Sequence, residues 1–322
     1  MKNIIAVVLL LAPSFVPARH PRAINATIPP TRQVAITFDD LPFVRMPSVR
    51  DARLGTERLL RTITANRIPA IGFVNEGKLS PAGRLDPARV AILKMWVDAG
   101  LELGNHSLSH PDLNTTPIEA FKNQITQGEV TTRRLLASRR MSPRYFRHPF
   151  LHTGTSLETK TAIEQFLASH GYRVAPVTVD NSEWIFALAY DNAAAGNDAA
   201  TMNEVARGYL SYMDSKFDYF ERQSVAFVGR EIKQVLLLHA NALNADHFSG
   251  LFEVMKRRGY QMISLDEALT DKAYALPDTY IGGKGITWLH RWALSAGRHD
   301  KILPDDPKTP ESILKLAGIA SE

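Results

Sequence analysis

Short apolar runs that stop on polar residues, separated by stretches with helical spacing, recur along most of this chain. Val34-Ala35-Ile36-Thr37-Phe38 stops at Asp39-Asp40, Ala70-Ile71-Gly72-Phe73-Val74 at Asn75, and Leu236-Leu237-Leu238 at His239. Runs that are apolar throughout, rather than alternating, describe strands buried on both faces, and burial on both faces needs covering helices. Further strands are predicted at Leu101–Leu103, at Tyr145-Phe146, once or twice within Tyr172–Val179, and at Tyr260–Ile263. Between them, residues 51–66, 156–170, 200–232 and 246–258 carry helical patterns. Asp86-Pro87 makes an N-cap and N1 pair for a helix that stops at Gly100. Thr116-Pro117-Ile118-Glu119 reads as a capping box with a helix to about residue 138. The segment 191–200, rich in Ala, Asn, Asp and Gly, is expected to be an exposed loop. The fold class is α/β: a single distorted (β/α) barrel of about seven units over residues 33–270, with residues 271–322 as a C-terminal extension packed on it.

Composition narrows the chemistry. There is no cysteine, which removes disulfide scaffolds, thiolate metal sites and cysteine nucleophiles together. The 38 Lys+Arg against 33 Asp+Glu give a net charge of +5, a modest basic balance without an extended basic run, so no nucleic-acid partner is expected. At the N-terminus, Lys2 precedes nine apolar residues, Ile4 to Ala12, and Val16 and Ala18 fit positions −3 and −1 of a cleavage site. That pattern describes a secretory signal over residues 1–18, so the mature protein is expected to be exported, to the periplasm or beyond. The run is shorter than the ~20 residues that span a bilayer, so no stable membrane insertion is expected after cleavage.

In such barrels the chemistry gathers at the carboxyl ends of the strands. His106 and His110 are four apart, and one helical turn would place both imidazoles on one face. His148 and His152 have the same spacing, but Pro149 disfavours helical backbone at His148. One of Asp39 and Asp40 could complete a two-His, one-carboxylate zinc site while the other accepts a proton; a solvated Asp-Asp turn before Leu41-Pro42 reads the same residues. Read alone, His239 at a strand end fits a structural histidine, Arg147 a surface arginine, and Glu183-Trp184 a loop packed on the barrel. Two tryptophans, Trp288 and Trp292, share one helical face; they read as a helix packed across the barrel exterior, or as an aromatic platform at the cleft edge.

Taken in order, these motifs resemble those of the polysaccharide deacetylase family (the NodB-homology domain, carbohydrate esterase family 4), in its exported bacterial type. Thr37-Phe38-Asp39-Asp40 is similar to the family's first motif, His106-Ser107-Leu108-Ser109-His110 to the second, and Phe146-Arg147-His148-Pro149-Phe150 to the third. Glu183-Trp184 resembles the fourth and Leu237-Leu238-His239 the fifth. The resemblance implies that Asp39 is the general base, that Asp40, His106 and His110 bind the metal, and that Ser107 supports their loop. It further implies that Arg147 orients Asp39, that the Phe150 N–H helps hold the oxyanion, and that Glu183 tunes the general acid His239. Trp184 and Leu237 would wall the acetyl pocket. Three departures stand out: His148 where the family usually has Pro, Phe150 for Tyr, and Glu183 for Asp, one methylene longer. His148 and His152 would then line the cleft mouth and touch substrate, or else be surface histidines, the reading preferred.

The implied activity is metal-dependent removal of acetyl groups from an N- or O-acetylated polysaccharide or oligosaccharide. The implied cofactor is Zn²⁺, or another divalent ion such as Co²⁺ or Ni²⁺, and the implied partner is an acetylated glycan. A hydrolase of non-sugar amides and an inactive glycan-binding protein are the alternatives.

Overall fold

A computed structural model describes residues 32–322. The proposed signal segment, residues 1–18, lies outside the described residues. Seven parallel strands form one curled sheet: β1 (Arg32–Leu41), β2 (Ile71–Val74), β3 (Glu102–Asn105), β4 (Tyr145–Phe146), β5 (Arg173–Val174), β6 (Gln234–His239) and β7 (Tyr260–Ile263). Their order is β5-β4-β3-β2-β1-β6. The long β1 pairs with β6 along one edge, and its other edge is shared between β7, at Arg32–Ala35, and β2, at Thr37–Leu41. The helices are α1 (Val49–Ala65), α2 (Pro87–Asp98), α3 (Ile118–Gln127), α4 (Val130–Ala137), α5 (Leu157–Ser169), α6 (Glu183–Ala195), α7 (Ala199–Val228), α8 (Ala242–Arg257), α9 (Leu265–Ala268), α10 (Trp288–Ser295) and α11 (Glu311–Ala317). None among the described residues is long and apolar enough to cross a membrane.

The sheet curls into a distorted barrel because one segment serves both of its ends. Residues 173–174 pair with β4, and five residues later Val179 pairs with Leu236 of β6. Val34, Ile36 and Phe38 of β1 are fully buried, and Phe38 meets the edges of Trp96 from α2 and Phe248 from α8. Each such side chain contributes about 1.5–3 kcal/mol by leaving water, so the first strand is anchored by helices on both of its flanks. Residues beyond 271 join this body through α10 against α7 and α11 against α6. Trp288 and Trp292 are buried there, and Trp292 packs edge-on against Tyr274, so they form no exposed platform.

Three local expectations need correction. The helix predicted to run to residue 138 breaks at Gly128-Glu129 into α3 and α4. Its N-cap is Pro117, one residue later than expected, so no side chain caps it and Thr116 stands outside. The segment 191–200 is exposed as expected, but its loop is only residues 196–198, because Ala193–Ala195 continue α6 and Asp198 caps α7 by accepting from Thr201 N at 3.0 Å. His106 and His110 do not sit on a helical turn. They stand at the ends of a loop in which Ser107 and His110 adopt left-handed backbone, φ 68° and 58°.

Candidate active site

Asp39 and Asp40 lie just before the end of β1 at Leu41, and the backbone separates their roles. Asp39 lies in register with His239 of β6 and is buried, whereas Asp40 turns into left-handed backbone at φ 67°, where the pairing with β2 slips. That conformation costs a non-glycine residue on the order of 1–3 kcal/mol and needs support. Lys78 gives it, donating from Nζ to the Asp40 carbonyl at 3.0 Å and lying 3.5 Å from its carboxylate. Nothing in the local pattern around Lys78 announces this contact.

The two histidines converge on Asp40. His106 Nε2 lies 3.9 Å and His110 Nε2 4.0 Å from Asp40 Oδ1, an oxygen that is buried without a hydrogen-bond partner. His106 donates from Nδ1 to the Arg147 carbonyl at 2.8 Å, which leaves the Nε2 lone pair directed at the cluster. Burial depresses the pKa of both imidazoles, so both are neutral, the form that binds a metal. Burial would raise the Asp40 pKa, but Lys78 and the surrounding histidines outweigh it and hold the carboxyl well below the usual range. One carboxylate oxygen and two imidazole nitrogens, all within 4.8 Å of one another, suit a divalent metal with open positions.

The loop carrying the histidines is clamped from two sides. Ser107 Oγ accepts from His110 N at 3.0 Å, and Asn105 Oδ1 from Ser107 N at 2.7 Å. Gln124 of α3 accepts from Leu108 N through its carbonyl and from Ser109 through its side chain. From the opposite side, Asn75 donates to the His106 carbonyl at 2.5 Å, and Gly77 N to that of Leu108 at 2.7 Å.

Arg147, fully buried, sets its Nε 3.6 Å from Asp39 Oδ1 and donates to Thr37 Oγ1 at 2.7 Å. Burial pushes the Asp39 carboxyl up to about 6, with Arg147 opposing the rise. On β6, beside Asp39, His239 Nδ1 donates to Glu183 Oε2 at 2.8 Å, so the longer side chain reaches its histidine. Burial alone would lower the His239 pKa; Glu183 outweighs it and raises the imidazole to about 9. The other Glu183 oxygen accepts from Asn241 and Asn244, two residues missed in the sequence although Asn241 is the N-cap of α8.

A cavity of about 520 Å³ joins these groups. Asp39, Asp40, His106, His110, Phe150, Trp184, Leu237 and His239 line it, while Arg147 and Glu183 stand behind the side chains they hold. Trp184 and Phe150 are about half exposed at the cavity, and Leu237 is buried in its wall. Trp184 lies in the first turn of α6, not in a loop. His148 lines the cavity but is no surface residue: it is 2% exposed, packed between Phe121 and Phe146, and burial pushes its pKa down to about 3. Its place beside buried Arg147 on the strand exit turns it inward. His152 is partly buried and bonds Asp112 through Nδ1 at 2.7 Å.

Residues 27–175 match the family model described as polysaccharide deacetylase. A chitin deacetylase of Colletotrichum lindemuthianum is 24% identical over 247 residues, covering 74% of this chain and 79% of that protein. A peptidoglycan-N-acetylglucosamine deacetylase of Bacillus cereus is 27% identical over 169 residues, covering 51% of this chain and 52% of that protein. Among solved structures, the Colletotrichum chitin deacetylase aligns over 75% of this chain and 88% of its own, at 24% identity and a TM-score of 0.49. A family 4 pseudoenzyme from Bacillus anthracis aligns over 75% and 66%, at 16% identity and a TM-score of 0.47. Over residues 27–175, just under half of its length, the chain therefore matches a polysaccharide deacetylase domain. The matched span holds Asp39, Asp40, His106, His110, Arg147 and Phe150; Glu183, Leu237 and His239 lie beyond it.

Proposed function

We propose that this protein is a metal-dependent hydrolase that removes acetyl groups from an N-acetylated polysaccharide or oligosaccharide of the chitin or peptidoglycan class. The observation that carries the reading is a pair of groups of opposite charge facing one cavity: a carboxylate held by Arg147, and an imidazolium held by Glu183. A general base and a general acid on opposite sides of a scissile bond are what amide hydrolysis needs.

Asp39 takes a proton from the attacking water, and Arg147 keeps that carboxylate ionised and aimed. The backbone N–H of Phe150 supports the developing oxyanion. Glu183 holds His239 as the imidazolium, which delivers its Nε2 proton to the departing nitrogen; this leaves as the amine while acetate remains, and Glu183 then favours reprotonation of the neutral ring from solvent as Asp39 gives up the proton it took from water. Trp184 and Leu237 enclose the acetyl methyl. Asp40, His106 and His110 would hold Zn²⁺, Co²⁺ or Ni²⁺, which supplies Lewis-acid polarisation and a lowered water pKa. In this reading residues 33–270 are the catalytic domain, residues 271–322 an extension, and the chain is exported after loss of residues 1–18.

The test is acetate release from chito-oligomers, peptidoglycan and acetylated xylan by the mature protein, metal-stripped and after zinc add-back. Zinc-restored release from a glycan is the expected result. Tight metal binding without release from any glycan would overturn the sugar substrate and point to small amides; no release and no metal binding would point to a glycan-binding protein.

A further inference from the structure

The wall of the cavity opposite α6 is held by residues far outside the catalytic motifs. Phe150 and Leu151 both stand in left-handed backbone, at φ 56°, a conformation that must be imposed from outside. The imposing partner is the segment from Asp278 to Arg291. Arg291, 1% exposed, donates to Thr153 Oγ1 at 2.5 Å and to the Leu151 carbonyl at 3.3 Å. Its guanidinium is fixed by Asp278 at 2.9 Å and lies 4.6 Å from the centre of the Trp288 ring. Trp288 N in turn donates to the Val177 carbonyl at 2.8 Å, which ties the segment to the barrel seam. Gly285 reaches the cavity itself, and its backbone lies so close to Phe150 that a Cβ there would overlap the Phe150 carbonyl.

We propose that residues 278–291 are a strap that positions the Phe150–Thr153 wall for catalysis, with Arg291 as the positioning residue and Gly285 as its point of contact. This rests on the deacetylase reading, because Phe150 is the residue whose N–H faces the developing charge and whose ring packs 4.4 Å from that of His110. The buried guanidinium matters by geometry. It bridges a carbonyl, a hydroxyl and a carboxylate from two separate segments, and only a planar multi-donor side chain does this. The strap acts on the wall, not on the reacting atoms.

Two substitutions test it without removing the buried charge: Gly285→Ala, which pushes on the Phe150 carbonyl, and Thr153→Val, which removes one Arg291 acceptor. Amide hydrogen exchange over residues 148–153, kcat and KM separately, zinc affinity and the thermal midpoint are measured on the full chain. Faster exchange confined to 148–153 is expected, with kcat down by on the order of tenfold or more while KM and zinc affinity hold. Unchanged exchange, or faster exchange with wild-type kcat, overturns the proposal. So does a loss of kcat that merely follows global unfolding. If the wild type releases no acetate from any glycan, the deacetylase reading fails by itself, and exchange at 148–153 still decides whether the strap holds the wall.

Discussion

Asp39 and Asp40 are chemically identical neighbours whose surroundings drive them apart. Asp39 stays in the strand and is buried against one arginine, so burial dominates and its carboxyl rises to about 6. Asp40 kinks the strand through left-handed backbone, and there Lys78 and the histidines overcome burial to keep it ionised. The first is suited to exchanging protons and the second to holding a cation. Asp39→Asn should therefore keep zinc affinity, read by chelator competition, while kcat falls by roughly 10²–10⁴-fold. His110→Ala should lose both, and a His110→Ala protein that turns over without metal would end this assignment. At the other pair, His239 remains an imidazolium up to about pH 9, so the alkaline limb of kcat should fall there. In Glu183→Gln, burial is opposed only by the weaker pull of Asp40 and Asp39, and the limb should move to lower pH; an unmoved limb would remove His239 as the acid. The same shift links to stability with a definite sign. The pKa is raised on folding, so its stabilisation is complete below 6.5 and is lost as pH rises through about 9.

Elements rather than residues decide whether the two histidines meet. Their loop is pressed between the turn at Asn75–Leu79 and the end of α3, and α3 stops where Gly128 lets the loop in. A Cβ at Gly128 would stand 2.5 Å from Leu108 N and from Ser107 C, both backbone atoms with no freedom to yield. Gly128→Ala should cost about 1–3 kcal/mol and weaken zinc binding in the same protein; a lower thermal midpoint with full zinc affinity would show that the loop is held by other means. This clamp is also where sequence reading stops. The strand ends Asp39, His106, Arg147 and His239 were legible because apolar runs mark where buried strands stop. The loop was mistaken for a helical turn because its shape is imposed by Gln124 and Asn75, from elements on either side of it in the chain. Lys78 escaped notice for the same reason, since its partner is 38 residues away, as did Asn244, which is 61 residues from Glu183. Glu183-Trp184 and 191–200 look like loop from their local composition, whereas the apolar run between them and its alanines carry α6 through 183–195, and Asp198 starts α7.

The barrel as a whole depends on a short seam. Only β5 and the bridge at Val179 carry the sheet from β4 to β6, so few backbone bonds connect the half bearing Asp39, the histidines and Arg147 with the segment that leads into Glu183. Thr178 reinforces that seam with a fully buried hydroxyl that accepts from Val235 N at 2.7 Å, while Thr178 N and Val179 N both donate to the Val235 carbonyl at 3.0 Å. Thr178→Val keeps the volume but leaves the Val235 N–H without its acceptor, a loss of about 1–3 kcal/mol. The consequence should not stay local. Asp180, Asn181 and Ser182 follow directly, Asn181 donates to the Leu237 carbonyl at 2.8 Å, and its side-chain oxygen accepts from Glu183 N at 3.0 Å. A loosened seam therefore lets Glu183 drift from His239 while the metal cluster, held by β1 and the clamped loop, stays intact. The expected outcome is a lower thermal midpoint, faster amide exchange at Val235–Leu237, and an alkaline limb displaced to lower pH at unchanged zinc affinity. A Thr178→Val protein that loses stability but keeps the wild-type limb would mean that Glu183 is held by Asn241 and Asn244 alone, independently of how the barrel closes.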